Sequence, residues 1–99
     1  MAKLTNSSTS GTSFHGQVFS STVSELKEKL GEPQFSQNDG ADKVNFEWEC
    51  ETEEGDVFTI YDWKEYREID ETETIHFHIG SLGAGVSKKA LEELKQLLK

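Results

Sequence analysis

The chain has 99 residues, with 19 Asp and Glu against 10 Lys and Arg, a net charge of −9 and a single cysteine. That length builds one small domain, its negative field opposes contact with phosphate backbones and anionic lipid, and one thiol cannot close an intrachain disulfide. No apolar run approaches the roughly 20 residues of a membrane span, nor the core of a signal peptide, so a reducing, cytoplasmic setting is expected, with no direct nucleic-acid or membrane partner.

Residues 1–13 are dominated by Ser, Thr, Gly and Asn. They offer too little apolar surface to offset ordering entropy and are expected to form a disordered tail, leaving 14–99 as a single α+β domain. Phe14 to Ser20 reads as a short first strand or an extended lead-in. Thr22-Val-Ser-Glu25 fits a capping box, and Val23, Leu26 and Leu30 fall on one helical stripe. Lys27 and Lys29 sit toward the negative end of the dipole, and Gly31 and Pro33 stop the helix, which is expected over 22–30.

Residues 34–42 carry Asn-Asp-Gly turn chemistry and read as a loop. From Lys43 the pattern alternates: Val44, Phe46, Trp48 and Cys50 take one face, and Asn45, Glu47, Glu49 and Glu51 the other. Gly55 suits a hairpin turn over Thr52 to Asp56. That turn pairs Cys50 with Phe58 and Trp48 with Ile60, so Val57, Thr59, Tyr61 and Trp63 share the side of the glutamates. A slip of one residue would invert the assignment. Both faces of Val57 to Trp63 are apolar, as in an interior strand.

Lys64 to Glu73 is charged and reads as a mobile connection. Thr74 to Ile79 alternates again, with Ile75, Phe77 and Ile79 inward and His76 and His78 outward. Gly80 to Gly85 reads as a glycine-rich turn, and Ser87 offers an N-cap for a terminal helix over 87–98 with Ala90, Leu91, Leu94, Leu97 and Leu98 on its stripe. The fold expected is α+β: an antiparallel sheet of three or four strands, in the order β-α-β-β-β-α, with both helices packed on one face.

Charge is regional. Between Glu47 and Glu73 stand twelve acids and two bases, Lys64 and Arg67, a balance of −10. The aromatics Trp48, Tyr61, Trp63 and Tyr66 exceed what one small core requires. Glu47, Glu49, Glu51, Tyr61, Trp63, His76 and His78 are therefore the candidate interaction face, an aromatic centre with an acidic rim. Its expected partner is a basic protein surface, including that of a nucleic-acid-binding protein.

Other chemistry is weaker. His76 and His78 with Glu47 or Glu49 could ligate a divalent ion, but no Cys/His spacing of a structural zinc site occurs. Tyr61, Asp62 and Lys64 could form an acid/base cluster, yet a thin domain makes few dry pockets. Cys50, beside Glu49 and Glu51, reads as a core residue and not a reactive thiol. Gly80, Gly83 and Gly85 lack the Lys-Ser/Thr of a phosphate loop. No catalytic residue and no cofactor is implied.

Gly31-Glu-Pro33, Phe46-Glu-Trp48, Gly55-Asp-Val-Phe-Thr-Ile-Tyr-Asp-Trp-Lys64 and His76-Phe-His78-Ile-Gly80 together resemble a group of short proteins encoded by bacteriophages and prophages. That group shares a helix ending in Phe/Leu-Gly-x-Pro, a Glu-Trp strand, a T-I-Y-D-W/Y-K block and a final W-H-I-G-G strand. The resemblance covers residues 14 to 98, and the T-I-Y-D-W-K block is its most specific part. Here Phe77 replaces the usual Trp, and Ser81 the second glycine. The helix followed by a Trp-bearing strand also faintly resembles the repeated unit of β-lactamase-inhibitor-like domains, which are binding modules.

The resemblance implies a phage origin and a small α+β fold, and no reaction. The function expected is that of a non-enzymatic accessory protein that binds a host protein through the acidic, aromatic face, with DNA mimicry or an anti-defence role as narrower forms. The alternatives are a metal-dependent or metal-binding protein using His76 and His78, and a structural component of the virion.

Overall fold

In the computed structural model, which describes residues 1–99, eight elements follow in chain order: β1 (Lys3–Leu4), β2 (Ser13–Ser21), α1 (Val23–Lys29), β3 (Phe35–Ser36), β4 (Phe46–Glu51), β5 (Val57–Asp62), β6 (Ile75–Ser81) and α2 (Ala84–Leu97). The expected α+β class is therefore correct, but six strands replace the three or four foreseen. All pairings are antiparallel, in the order β1-β4-β5-β6-β2, and β3 shares the outer edge of β4 with β1.

The hairpin forms in the register expected from a turn over Thr52 to Asp56, with Cys50 opposite Phe58 and Trp48 opposite Ile60. Its turn closes through Thr52 N to Asp56 O at 2.9 Å and Gly55 N to Thr52 O at 2.9 Å, with Gly55 at φ +89°. One face of the sheet thus presents Trp48, Phe58, Ile60, Phe77 and Ile79, all fully buried, to Val23 and Leu26 of α1 and Ala90 and Leu94 of α2. Both helices lie on this face.

The cap of α1 is half of what the sequence suggests. Thr22 Oγ1 accepts from Glu25 N at 3.0 Å, whereas the Glu25 carboxylate takes the Ser21 hydroxyl and does not return to Thr22. Leu30 ends the helix and Gly31 follows at φ +116°, a conformation that glycine adopts without strain. α2 begins a turn earlier than expected. Gly83 is its N-cap, and Ser87 lies buried inside the helix, its hydroxyl 2.6 Å from that of Ser81. Ser87 is spent on this cross-element bond and cannot cap.

Two segments expected to be loose are ordered. The stretch 1–13, read as a disordered tail, supplies β1, with Ala2 and Thr5 buried and Thr5 N bonded to Glu49 O at 3.0 Å. The edge of β4 draws it in, because unpaired strand N–H and C=O groups favour a partner. Between β1 and β3 the Gln34 side chain completes that edge, its amide donating to Glu49 O at 2.9 Å and accepting from Glu49 N at 2.8 Å. A side-chain amide here substitutes for a peptide group.

The charged segment 64–73 is likewise docked. Ile69 enters the core at 1% exposure, and Asn38 accepts from Ile69 N at 2.7 Å and donates to Ile69 O at 2.8 Å. Arg67 forks onto Glu73, and Lys64 and Tyr66 take left-handed φ values of 56° and 51°. Gly40, at φ +72°, passes so close that a Cβ would lie 2.4 Å from Arg67 N. Only glycine permits that approach.

Candidate functional site

The sheet face turned away from both helices is the candidate site. The register lays its residues in cross-strand rows: Glu49, Thr59, Gly80 and Phe14 in one, Glu47, Tyr61, His78 and Val18 in the next. Glu51 opposes Val57, and His76 opposes Ser20. Period-two alternation along each strand puts all of these on one side. Glu47, Glu49, Glu51, Tyr61, Trp63, His76 and His78 therefore share the face, as the sequence suggests.

The aromatic rings meet at its centre. Phe14 stacks on the His78 ring at 4.2 Å, His78 on Trp63 at 6.1 Å, and Tyr61 meets Trp63 edge-on at 5.9 Å. Lys43 and Lys64 hold their ammonium groups 5.8 and 5.5 Å from the centre of the Trp63 ring. Such a cluster, far from the core, leaves Phe14 44%, Val18 44% and Trp63 38% exposed. Exposed large rings in a cluster mark contact surfaces more often than single exposed apolar residues do.

Residues 5–12 form a strap across one end of this face, as they must to join β1 at one edge to β2 at the other. Thr9 Oγ1 donates to Glu49 Oε1 at 2.7 Å, and Thr59 and Gly80 are buried. Beside the strap lies a cavity of about 200 Å³ lined by Thr12, Val44, Glu47, Thr59, Tyr61 and Trp63, among others. Sequence reasoning missed Phe14, Val18, Lys43 and the strap. Only the pairing of β2 with β6 brings the first two here, and a bulge between Phe14 and Val18, with Gly16 at φ +92°, masks the alternation that would have signalled it.

The field of the site follows from partial burial. Burial, then the charge of Glu49, raises the pKa of Glu47; burial, then Glu47, raises that of Tyr61. Burial lowers the pKa of His78, which favours its neutral ring over the charged one. Glu47 forms no hydrogen bond or ion pair through its carboxylate, unlike Glu49.

The other arrangements weighed from the sequence do not assemble. No three His, Cys, Asp or Glu groups converge on a metal position. His76 Nδ1 lies 3.0 Å from the Ser20 hydroxyl, and His78 is packed among Phe14, Tyr61 and Trp63. The His76, His78 and Glu49 set is thereby corrected. Asp62 points to the opposite face from Tyr61 and accepts from the backbone N–H groups of Asn45 and Phe46, while Lys64 turns to Trp63. No acid/base cluster results.

Cys50 is buried in the core, where burial first and Glu49 second push its thiol up to about 12. Thiolate is the reactive form. The folded protein is therefore expected to resist a thiol reagent at mildly alkaline pH and to label fully in denaturant. Rapid labelling without denaturant would show that Cys50 is not enclosed.

No helix is long and apolar enough to cross a membrane. Comparison with protein-family models, with curated proteins and with solved structures returned no match.

Proposed function

We propose that this protein acts by binding and not by catalysis, docking a basic surface of another protein on the open face of its sheet. The observation that carries this is the cluster of Phe14, Tyr61, Trp63 and His78, exposed in part and flanked by the unpaired carboxylate of Glu47. Aromatic anchors in a polar rim are what concentrate energy in protein interfaces. A molecule of 34 × 28 × 24 Å has room on one face for the ~800 Å² that a standard partner covers. The net charge of −9 favours a basic partner and speeds its encounter.

The resemblance to small phage and prophage proteins would make that partner a protein of the host. DNA mimicry has less support than simple docking. It needs a row of free carboxylates, whereas Glu47, Glu49 and Glu51 are all half-buried and Glu49 is bonded to the strap.

The test compares the wild-type chain with a Phe14→Ser/Trp63→Ala double variant in capture from a host lysate. A partner retained by the wild type is expected to be lost by the variant, and also lost in about 1 M salt, where the Debye length falls to about 3 Å. Equal retention by both proteins would remove the open face from the function.

A further inference from the structure

We propose that the cavity beside the strap is a receptor for one arginine side chain of the partner, with Glu47 as the carboxylate that meets the guanidinium and Tyr61 and Trp63 as its aromatic walls. This rests on the docking role proposed above and assigns the chemistry of its central contact.

Small-molecule sites usually hold ~300–1,000 Å³, and a space of about 200 Å³ is closer to a single side chain. The composition of the walls suits a planar cation. Thr12, Thr59 and Gly80 add small residues to the lining, and the Tyr61 and Trp63 rings, which also line it, stand at 77° to each other. Guanidinium is planar, stacks on aromatic faces and forms paired hydrogen bonds with a carboxylate, whereas a lysine ammonium is a compact, strongly hydrated point.

Glu47 supplies the charge. Of the other acids on this side, Glu49 takes the Thr9 hydroxyl, and Glu51 sits at the hairpin end, away from the cavity lining. Glu47 alone lines the cavity and has no partner. Partial removal from water raises its pKa, and a cation in the cavity would relieve that cost. Lys43 and Lys64 hold their ammonium groups over the Trp63 ring, and neither pairs with Glu47. A forked donor entering from the partner has the geometry they lack.

The test needs no partner. Blocked arginine, N-acetyl-arginine amide, is titrated into the ¹⁵N-labelled chain, with N-acetyl-citrulline amide as the neutral isostere. Expected are saturable shifts at Glu47, Thr59, Gly80 and the Trp63 indole, with affinity on the order of millimolar, and none with citrulline. Glu47→Gln should weaken binding at least about tenfold. Trp63→Ala, at a more exposed position, should also weaken it and serves should Glu47→Gln disturb the fold. Shifts spread over all acidic residues, equal shifts with citrulline, or unchanged affinity in both variants would each overturn the arginine site. If the arginine site fails while the Phe14→Ser/Trp63→Ala variant still loses its partner, the face stands and the cavity does not. If arginine does not bind and the wild type and the variant retain the partner equally, the docking role itself is overturned.

Discussion

Asp62→Ala is expected to destabilise the protein by about 2–6 kcal/mol, from two buried N–H groups losing their acceptor at roughly 1–3 kcal/mol each. Asp62 is wholly inaccessible, and its carboxylate accepts from Asn45 N at 2.9 and 3.0 Å and from Phe46 N at 2.8 Å. These bonds pin the start of β4 to the end of β5. They also anchor a polar cluster in which Asn45 donates to Asn38 Oδ1 at 2.8 Å and to Arg67 O at 2.7 Å. For a domain of this size the whole stability is about 5–15 kcal/mol, so the loss is a large share. Urea denaturation followed by circular dichroism should show a lower midpoint with an unchanged slope. A midpoint within error of wild type would mean that the two N–H groups find water instead.

The same residue predicts a pH trend. Burial raises the Asp62 pKa, and the backbone donors only partly offset it. The folded chain then holds its proton more tightly than the unfolded one. The part of the stability that is linked to Asp62 protonation is fully present below the unfolded value of about 3.9 and is lost as pH rises through the raised folded value, while its acceptor role for the two N–H groups persists. Glu73 runs the other way. The Arg67 guanidinium lowers its pKa, so its contribution is present above the ordinary glutamate range and lost as pH falls. Comparing Asp62→Asn with Glu73→Gln across acidic pH should separate the two slopes.

Trp48→Ala is expected to cost about 3–5 kcal/mol, the range for removing a large buried aromatic. Trp48 is fully inaccessible, with Phe46 stacked at 6.0 Å and Phe77 edge-on at 6.0 Å. Its indole Nε1 donates to Gly31 O at 2.9 Å, tying the end of α1 to β4. The substitution thus opens the core and strands a carbonyl at a helix terminus. Trp48→Phe keeps most of the volume and strands the same carbonyl, so it should cost less, about 1–3 kcal/mol. With each 1 kcal/mol worth ~4–8 °C in a domain near 100 residues, thermal melts of the two variants distinguish filling from tethering. Equal shifts would mean that the hydrogen bond, and not the packing, carries the residue's effect.

Together these two positions separate the helix-side core, which holds the fold, from the opposite face, which is proposed to bind. Trp63→Ala and Glu47→Gln touch the second alone and should leave the melting temperature close to wild type.

What the sequence by itself determined is everything written between near neighbours. The alternation up to Glu51 assigned those side chains to faces, Gly55 set the turn and so the register that places Val57 to Trp63, and Thr22 with Gly31 bounded the first helix. Each of these needs only residues a few positions apart, where backbone sterics and periodicity act directly. The tertiary structure decided what depends on distant groups. β1 has two residues and no pattern of its own, and it exists because β4 has an open edge. The strap is held by a bond from Thr9 to Glu49, forty residues on. Ser87 would cap a helix in isolation, but Ser81 of β6 claims its hydroxyl. The cavity at Glu47 follows from these pairings, since its walls come from four separate stretches of the chain and no local rule brings them together.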